Sequence, residues 1–200
     1  EHGADVDLIR MPLEVMDRGL VAAGIELDSD SGDGEQDSVD DLLEVPADPE
    51  IHLINDAQRQ IVYLERMLRA LIMDLLEREA GPKWLRQRVP EDIRTDWQSK
   101  QENARKSGRP ETSLIEFSDF THYEKILCRA DNWSAAFAEV FDRKESLIES
   151  FRRLYPVRIA IMHSRSITAM DLMSMKCEVY RLTTAIRSFA TAHNKPYASR

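Results

Sequence analysis

No run of apolar residues in this chain reaches the roughly 18 that a membrane-spanning helix needs. The start, Glu1-His-Gly-Ala-Asp5, has no basic segment leading into an apolar one, so no secretory signal is read there. It does not begin with Met either, which predicts a piece of a longer protein, with further domains or a partner protein outside it. Cysteine is scarce. Cys128 and Cys177 form no disulfide framework, and with His122 they make neither a zinc spacing nor a Cys–His nucleophile. Two reduced, buried thiols in a cytoplasmic protein are the expectation. Glycine is scarce too, and none of the seven falls in a Gly-x4-Gly-Lys pattern, which excludes ATP binding of the P-loop kind. The alternation that marks a strand is missing, including from the irregular stretch 81–118. No metal and no cofactor are expected.

Basic residues are absent from one segment. Residues 26–50 carry eleven Asp and Glu and no Lys or Arg, while 1–25 carry five acids and two bases. The overall charge of −9 therefore belongs to the leader, and residues 51–200, with 20 acids and 25 bases, are mildly basic. That balance leaves nucleic acid open as a partner of the main domain. Such dense like charge cannot bury apolar surface, so 26–50 is expected to be a mobile linker after a short helical leader at 1–25. Asp28, Asp30 and Gly34 suggest a calcium loop, but its twelfth position falls on Val39 instead of Glu, and the match fails.

What is present is helical periodicity. Pro49 opens a long helix to about residue 80, with Ile54, Ala57, Ile61, Leu64, Leu68, Leu71 and Leu75 spaced by three and four. Burying that stripe contributes on the order of 10 kcal/mol before chain entropy is subtracted. Gly81-Pro82 ends the helix. Another helix is expected from Pro90 to about Arg105, ahead of a loop at Ser107-Gly-Arg-Pro110. Ser118 reads as the N-cap of a helix bearing Phe120, Tyr123, Ile126 and Leu127, and Asn132-Trp133-Ser134 as the start of a short one. A longer helix follows from about Lys144 to His163, with Leu147, Phe151, Leu154 and Ile161 inward and a kink expected from Pro156. Thr168, with Asp171 three residues on, caps a last helix striped by Leu172, Met175, Val179, Leu182, Ile186 and Phe189. The polar tail from His193 is expected to fray. The fold class is all-α: a helical bundle over 51–192 with one long N-terminal helix and two long C-terminal ones.

One stretch holds candidate chemistry, Phe151-Arg-Arg-Leu-Tyr-Pro-Val-Arg158-Ile-Ala-Ile-Met-His163. Arg-x4-His alone is a weak signal. With 20 arginines, about one such pair arises by accident, and Arg187 with His193 is taken as that accident. Arg158 and His163 stand apart because they close the penultimate helix. Here the chain resembles the HEPN family (higher eukaryotes and prokaryotes nucleotide-binding domains), helical bundles whose penultimate long helix ends in Arg-x(4–6)-His. The likeness extends to Glu65-Arg-Met-Leu-Arg69, Trp84 after a glycine, Tyr123-Glu-Lys-Ile126, Trp133 and Leu154-Tyr-Pro-Val-Arg158, over about residues 54–190. It looks like a bacterial branch of the HEPN domains related to that of a eukaryotic RNA-surveillance endonuclease. One position departs from the pattern: Ile159 stands where many active members carry Asn, Asp or His.

The resemblance implies a metal-independent endoribonuclease of a toxin or phage-defence protein, working as a homodimer on RNA. A 2′-hydroxyl would attack the adjacent phosphate, leaving a cyclic phosphate and a 5′-hydroxyl. His163 would move the proton and Arg158 would hold the phosphate, roles that suit an imidazole titrating near neutrality and a planar guanidinium. Five residues turn about 140° around a helix, so the pair shares no face of a regular one. In the family, two motifs meet across a dimer. Arg152, Arg153 and Arg165, with Arg181, are the candidates for an RNA-backbone track. The alternative is a non-catalytic HEPN module for dimerisation or RNA sensing, with Ile159 as its mark. Trp84, Trp97 and Trp133 are read as core or loop anchors, not as a base-stacking platform.

Overall fold

The computed structural model describes residues 49–195 and 197. The chain divides into two units, Glu1–Val45 and Pro46–Arg200, and the described residues lie in the second. The expected helical leader and nearly all of the acidic linker fall outside them. The last two residues assigned to that linker, Pro49 and Glu50, already belong to the first helix.

Every regular element among the described residues is helical. Helix α1 spans Pro49–Ala80 and ends on a 3-10 turn at Gly81–Lys83, where Gly81 takes φ +59°. Two short helices that the sequence does not announce by periodicity follow in the region read as irregular. They are α2 at Trp84–Arg88 and a 3-10 turn at Leu114–Phe117, either side of α3 at Glu91–Lys106. Both are held by single large residues rather than by a stripe: Trp84 on α2 and Ile115 in the turn are buried.

Helix α4 covers Phe120–Leu127, and its N-cap is Asp119, one residue later than expected. Ser118 has another task, donating its hydroxyl to the Tyr123 phenol oxygen at 2.8 Å. The helix expected at Asn132 begins earlier, as α5 at Ala130–Asn132. It passes through a π turn at Trp133–Phe137 into α6 at Ala138–Phe141. Buried Asn132 ties this corner down, its amide donating to the carbonyls of Arg88 and Ile126 at 2.8 Å each.

Helix α7, Lys144–Met162, runs as one element through Pro156. Helix α8 spans Ala169–Ala192 behind the expected cap, with Thr168 Oγ1 accepting from the Asp171 backbone N–H. The stripes on α1, α7 and α8 meet in one core, whose largest fully buried side chains are Trp97, Phe120, Tyr123, Phe137 and, on α7 itself, Phe151. Lys176 reaches Asp56, Arg187 reaches Tyr63 and Lys195 reaches Asp74, so α8 runs alongside α1 in the same direction. Arg153 on Glu178, and Arg181 on the Ser146 carbonyl, set α7 antiparallel to α8.

Two expectations are corrected by packing. The tail is docked, not frayed, as far as Tyr197, which is buried with its hydroxyl 3.2 Å from Asp74. Of the two thiols, Cys128 is half-buried and burial pushes it up to about 11, whereas Cys177 is exposed. No described helix is long and apolar enough to cross a membrane.

Candidate functional site

Helix α7 ends by a Schellman turn, and that turn sets where His163 stands. The Ser164 N–H donates to the Ile161 carbonyl at 3.1 Å and the Arg165 N–H to the Ala160 carbonyl at 2.8 Å. The price in conformation falls on Ser164, a non-glycine residue at φ +49°. His163 is the C-cap, with φ −105° and ψ 16°, so it has already left regular helical geometry. Its side chain is exposed.

Arg158 sits five residues back and is partly buried against α1. Its side chain keeps 22% of its surface exposed, and Nε lies 3.6 Å from Glu65 Oε1 on α1. That is a charge contact, not a hydrogen bond, and the buried Nε has no hydrogen-bond partner among the described residues. Glu65 is itself 14% exposed and lies between two cations, with Arg69 Nη1 at 3.7 Å from its other oxygen. Burial raises the Glu65 pKa above the ordinary carboxylate value, although Arg158 and Arg69 pull it down.

The chain of contacts continues through Arg69. Its Nη1 donates to the Tyr123 hydroxyl at 3.0 Å, and its Nε lies 3.3 Å from Glu116. Tyr123 is fully buried, and burial raises its pKa. Thus Arg158, Glu65, Arg69, Tyr123 and Ser118 form one polar thread from α7 through α1 to the head of α4. The thread joins Glu65–Arg69, Tyr123 and Arg158, which lie far apart in the chain. No hydrogen bond or ion pair joins Arg158 to His163 among the described residues. Arg158 is partly buried against Glu65 on α1, whereas His163 is exposed at the cap.

The candidate RNA-contacting arginines are placed unequally. Arg153 is committed, donating to Glu178 at 2.8 Å and lying 3.3 Å from Glu149. Glu178 is buried; burial alone would raise its pKa, but the Ser150 hydroxyl at 2.7 Å and the Arg153 and Arg181 guanidinium groups bring it below the ordinary value. Arg181 belongs to that structural clamp. Arg152 is well exposed, 4.0 Å from Glu149. Arg165 is exposed two residues past His163, and its side chain has no partner among the described residues.

One cluster escapes sequence reading because its members lie on different elements. Asp96 on α3, with Asp119 and His122 at the head of α4, bring three possible ligand atoms within 4.8 Å of one another. The donor set does not fit a metal ion well. The Lys100 ammonium already bridges Asp96 and Asp119 at 2.8 and 2.6 Å. The His122 Nδ1 accepts from both Trp97 Nε1 and the Asp119 backbone N–H at 3.0 Å each, which places its proton on Nε2, the atom facing the carboxylates. The cluster is a charge network whose counter-charge is a lysine, and within it the buried Asp96 Oδ2 accepts no hydrogen bond from the described residues.

No family model, no curated protein and no solved structure matches this chain.

Proposed function

We propose that this chain carries a metal-independent endoribonuclease site of the HEPN type, belonging to a toxin or phage-defence protein and completed by a second copy of the chain. The observation that carries this reading is the setting of Arg158 and His163. The pair closes the penultimate helix of an all-α bundle, with the arginine braced from behind by Glu65 and the histidine presented to solvent. His163 would take the proton of the 2′-hydroxyl, or return one to the leaving 5′-oxygen, and Arg158 would neutralise charge developing on the phosphate. Exposed Arg165 beside His163 would hold the strand. A dimer supplies what one copy lacks, an arginine and a histidine facing one phosphate.

Support for self-association comes from exposed apolar side chains on either side of the motif turn. Met162 precedes His163, and Met170, Met173 and Tyr180 lie on the next helix; all four are more than half exposed.

A second reading, a non-catalytic HEPN module for dimerisation or RNA sensing, is favoured by Ile159. It is an apolar, partly buried residue where many active members carry Asn, Asp or His. Incubation of the purified protein with total RNA in EDTA, beside His163→Ala and Arg158→Ala, separates the two. Cleavage by the wild type alone, leaving cyclic-phosphate ends, is the expected result. Equal RNA profiles for all three proteins would favour the sensing module. His163 is the cleaner probe, because its exposed side chain can be removed without disturbing the core.

A further inference from the structure

The outward face of α1 takes no part in the Arg158–His163 site. Arg59, Val62, Arg66 and Met73 recur along it at spacings of three, four and seven, which puts them on one stripe of the helix, and all four are exposed. Val62 and Met73 each keep 39% of their surface in solvent, on a helix that has buried its own apolar stripe in the core.

Two hollows lie along this face. The one toward the start of α1 measures about 620 Å³ and is lined by His52, Asn55, Gln58 and Arg59. The one toward its end measures about 550 Å³ and takes in Ala70, Met73 and Ser113. Tyr63 and Arg66 line both, so the two run together as one groove. From His52 to Met73 is about 30 Å of helix, longer than a small molecule and the length of a helix of about 20 residues.

The groove is cationic. No acid is among the described residues that line its first hollow, where Arg59 and Arg66 stand. In the second, Glu116 is the only acid among them, and Arg69 lies 3.3 Å from it. Arg187 adds a guanidinium over the Tyr63 ring. Arg59 is 3.8 Å from Asp56, a carboxylate that Lys176 already holds at 2.7 Å. Arg66 is exposed and has no hydrogen bond or ion pair with the described residues. Cations that lack matching acids, with apolar side chains set between them, complement an acidic amphipathic chain. A nucleic-acid backbone would match the charge and leave Val62 and Met73 without a counterpart.

We propose that this groove docks an acidic amphipathic helix of a partner protein, with its carboxylates on Arg59 and Arg66 and its apolar side chains on Val62, Ala70 and Met73. Arg59 and Arg66 are about two turns apart on one stripe, so the partner helix carries Asp or Glu at the same interval with an apolar residue between them. The proposal does not rest on RNA cleavage, because its test reads peptide binding.

The experiment is selection of binders to the full chain from a displayed library of helical peptides about 20 residues long, followed by anisotropy titration of the best one. Enrichment of peptides with acids two turns apart around an apolar residue is expected. Arg66→Glu should weaken the selected peptide about tenfold or more. A peptide with lysines in place of those acids should bind the Arg59→Glu, Arg66→Glu double variant and lose the wild type. Arg86→Glu, the same change at an exposed position on α2, should leave binding unchanged. Arg66 has no partner to lose, so its variant should melt with the wild type. Failure to enrich any peptide, binders without the acidic pattern, or binding that Arg66→Glu leaves intact would overturn the proposal. So would a labelled RNA oligonucleotide that binds more tightly than any selected peptide and is lost with Arg66→Glu, which would give the groove to nucleic acid. A wild-type dimer that Arg66→Glu dissociates would overturn it in favour of a second copy of the chain.

Discussion

Glu65 is the residue on which the charge balance beneath the candidate site turns. It is nearly enclosed, and it faces one arginine from its own helix and one from α7. Removing the α7 partner leaves a buried carboxylate with half its compensation. Arg158→Met is therefore expected to cost about 1–3 kcal/mol of stability, and Glu65→Gln in that background to recover part of it. Urea denaturation of the four proteins in the cycle measures the coupling; additive effects would mean that the 3.6 Å contact contributes nothing.

His122 offers a pH test at the same scale. The groups that face it are Asp96 and Lys100 from α3 and Asp119 and Lys125 from the α4 segment. Burial lowers its pKa below the ordinary 6.5, against the pull of the two aspartates. Its Nδ1 cannot take a proton without losing both N–H donors. The unfolded chain thus binds the proton more tightly, and stability should fall as pH drops through the ordinary value, levelling off below the lowered folded one. Melting temperatures from about pH 7.5 to 5.5 should decline more steeply in the wild type than in His122→Asn, which keeps an acceptor without the titration. Parallel declines would assign the effect elsewhere.

At the level of elements, three helices end by the same device with different residues. Helix α3 closes through Gly108 at φ +73°, α7 through Ser164 at +49° and α8 through Asn194 at +50°. Only the first uses the residue that adopts this conformation freely. Ser164→Gly should therefore stabilise the protein by about 0.5–1 kcal/mol while preserving the turn that presents His163. Gly108→Ala has open space around it, yet should destabilise by about 1 kcal/mol because of backbone conformation alone. Chemical denaturation of both variants checks the pair, and shifts of the same sign would refute the reasoning.

For the whole molecule, the question is what covers the apolar face around the α7–α8 turn. A dimer through this face would bring two such turns together, as the proposed site requires. Met170→Lys combined with Met173→Lys changes two exposed side chains and should leave the fold intact. Light scattering on a sizing column is expected to give a dimer for the wild type and a monomer for the double variant. If cleavage is observed, the double variant should lose it although neither methionine touches the reacting atoms. A wild type that is monomeric at all concentrations would remove both the dimer and the composite site.

Periodicity alone determined that this chain is an all-α bundle and where its three long helices lie, because a stripe at spacings of three and four has only one way to bury itself. The capping pair Thr168 and Asp171 was legible for the same local reason: both partners lie within one turn. Arg158 and His163 could be picked out as residues, but not their surroundings. That Arg158 faces Glu65, that Arg153 is committed to Glu178 and that Lys100 bridges Asp96 and Asp119 depend on contacts between elements far apart in the chain. The same holds for α2 and the docked Tyr197, each held by one or two large side chains rather than by a repeat. Local spacing encodes which face of a helix turns inward; which charge it meets there is decided only when the helices pack.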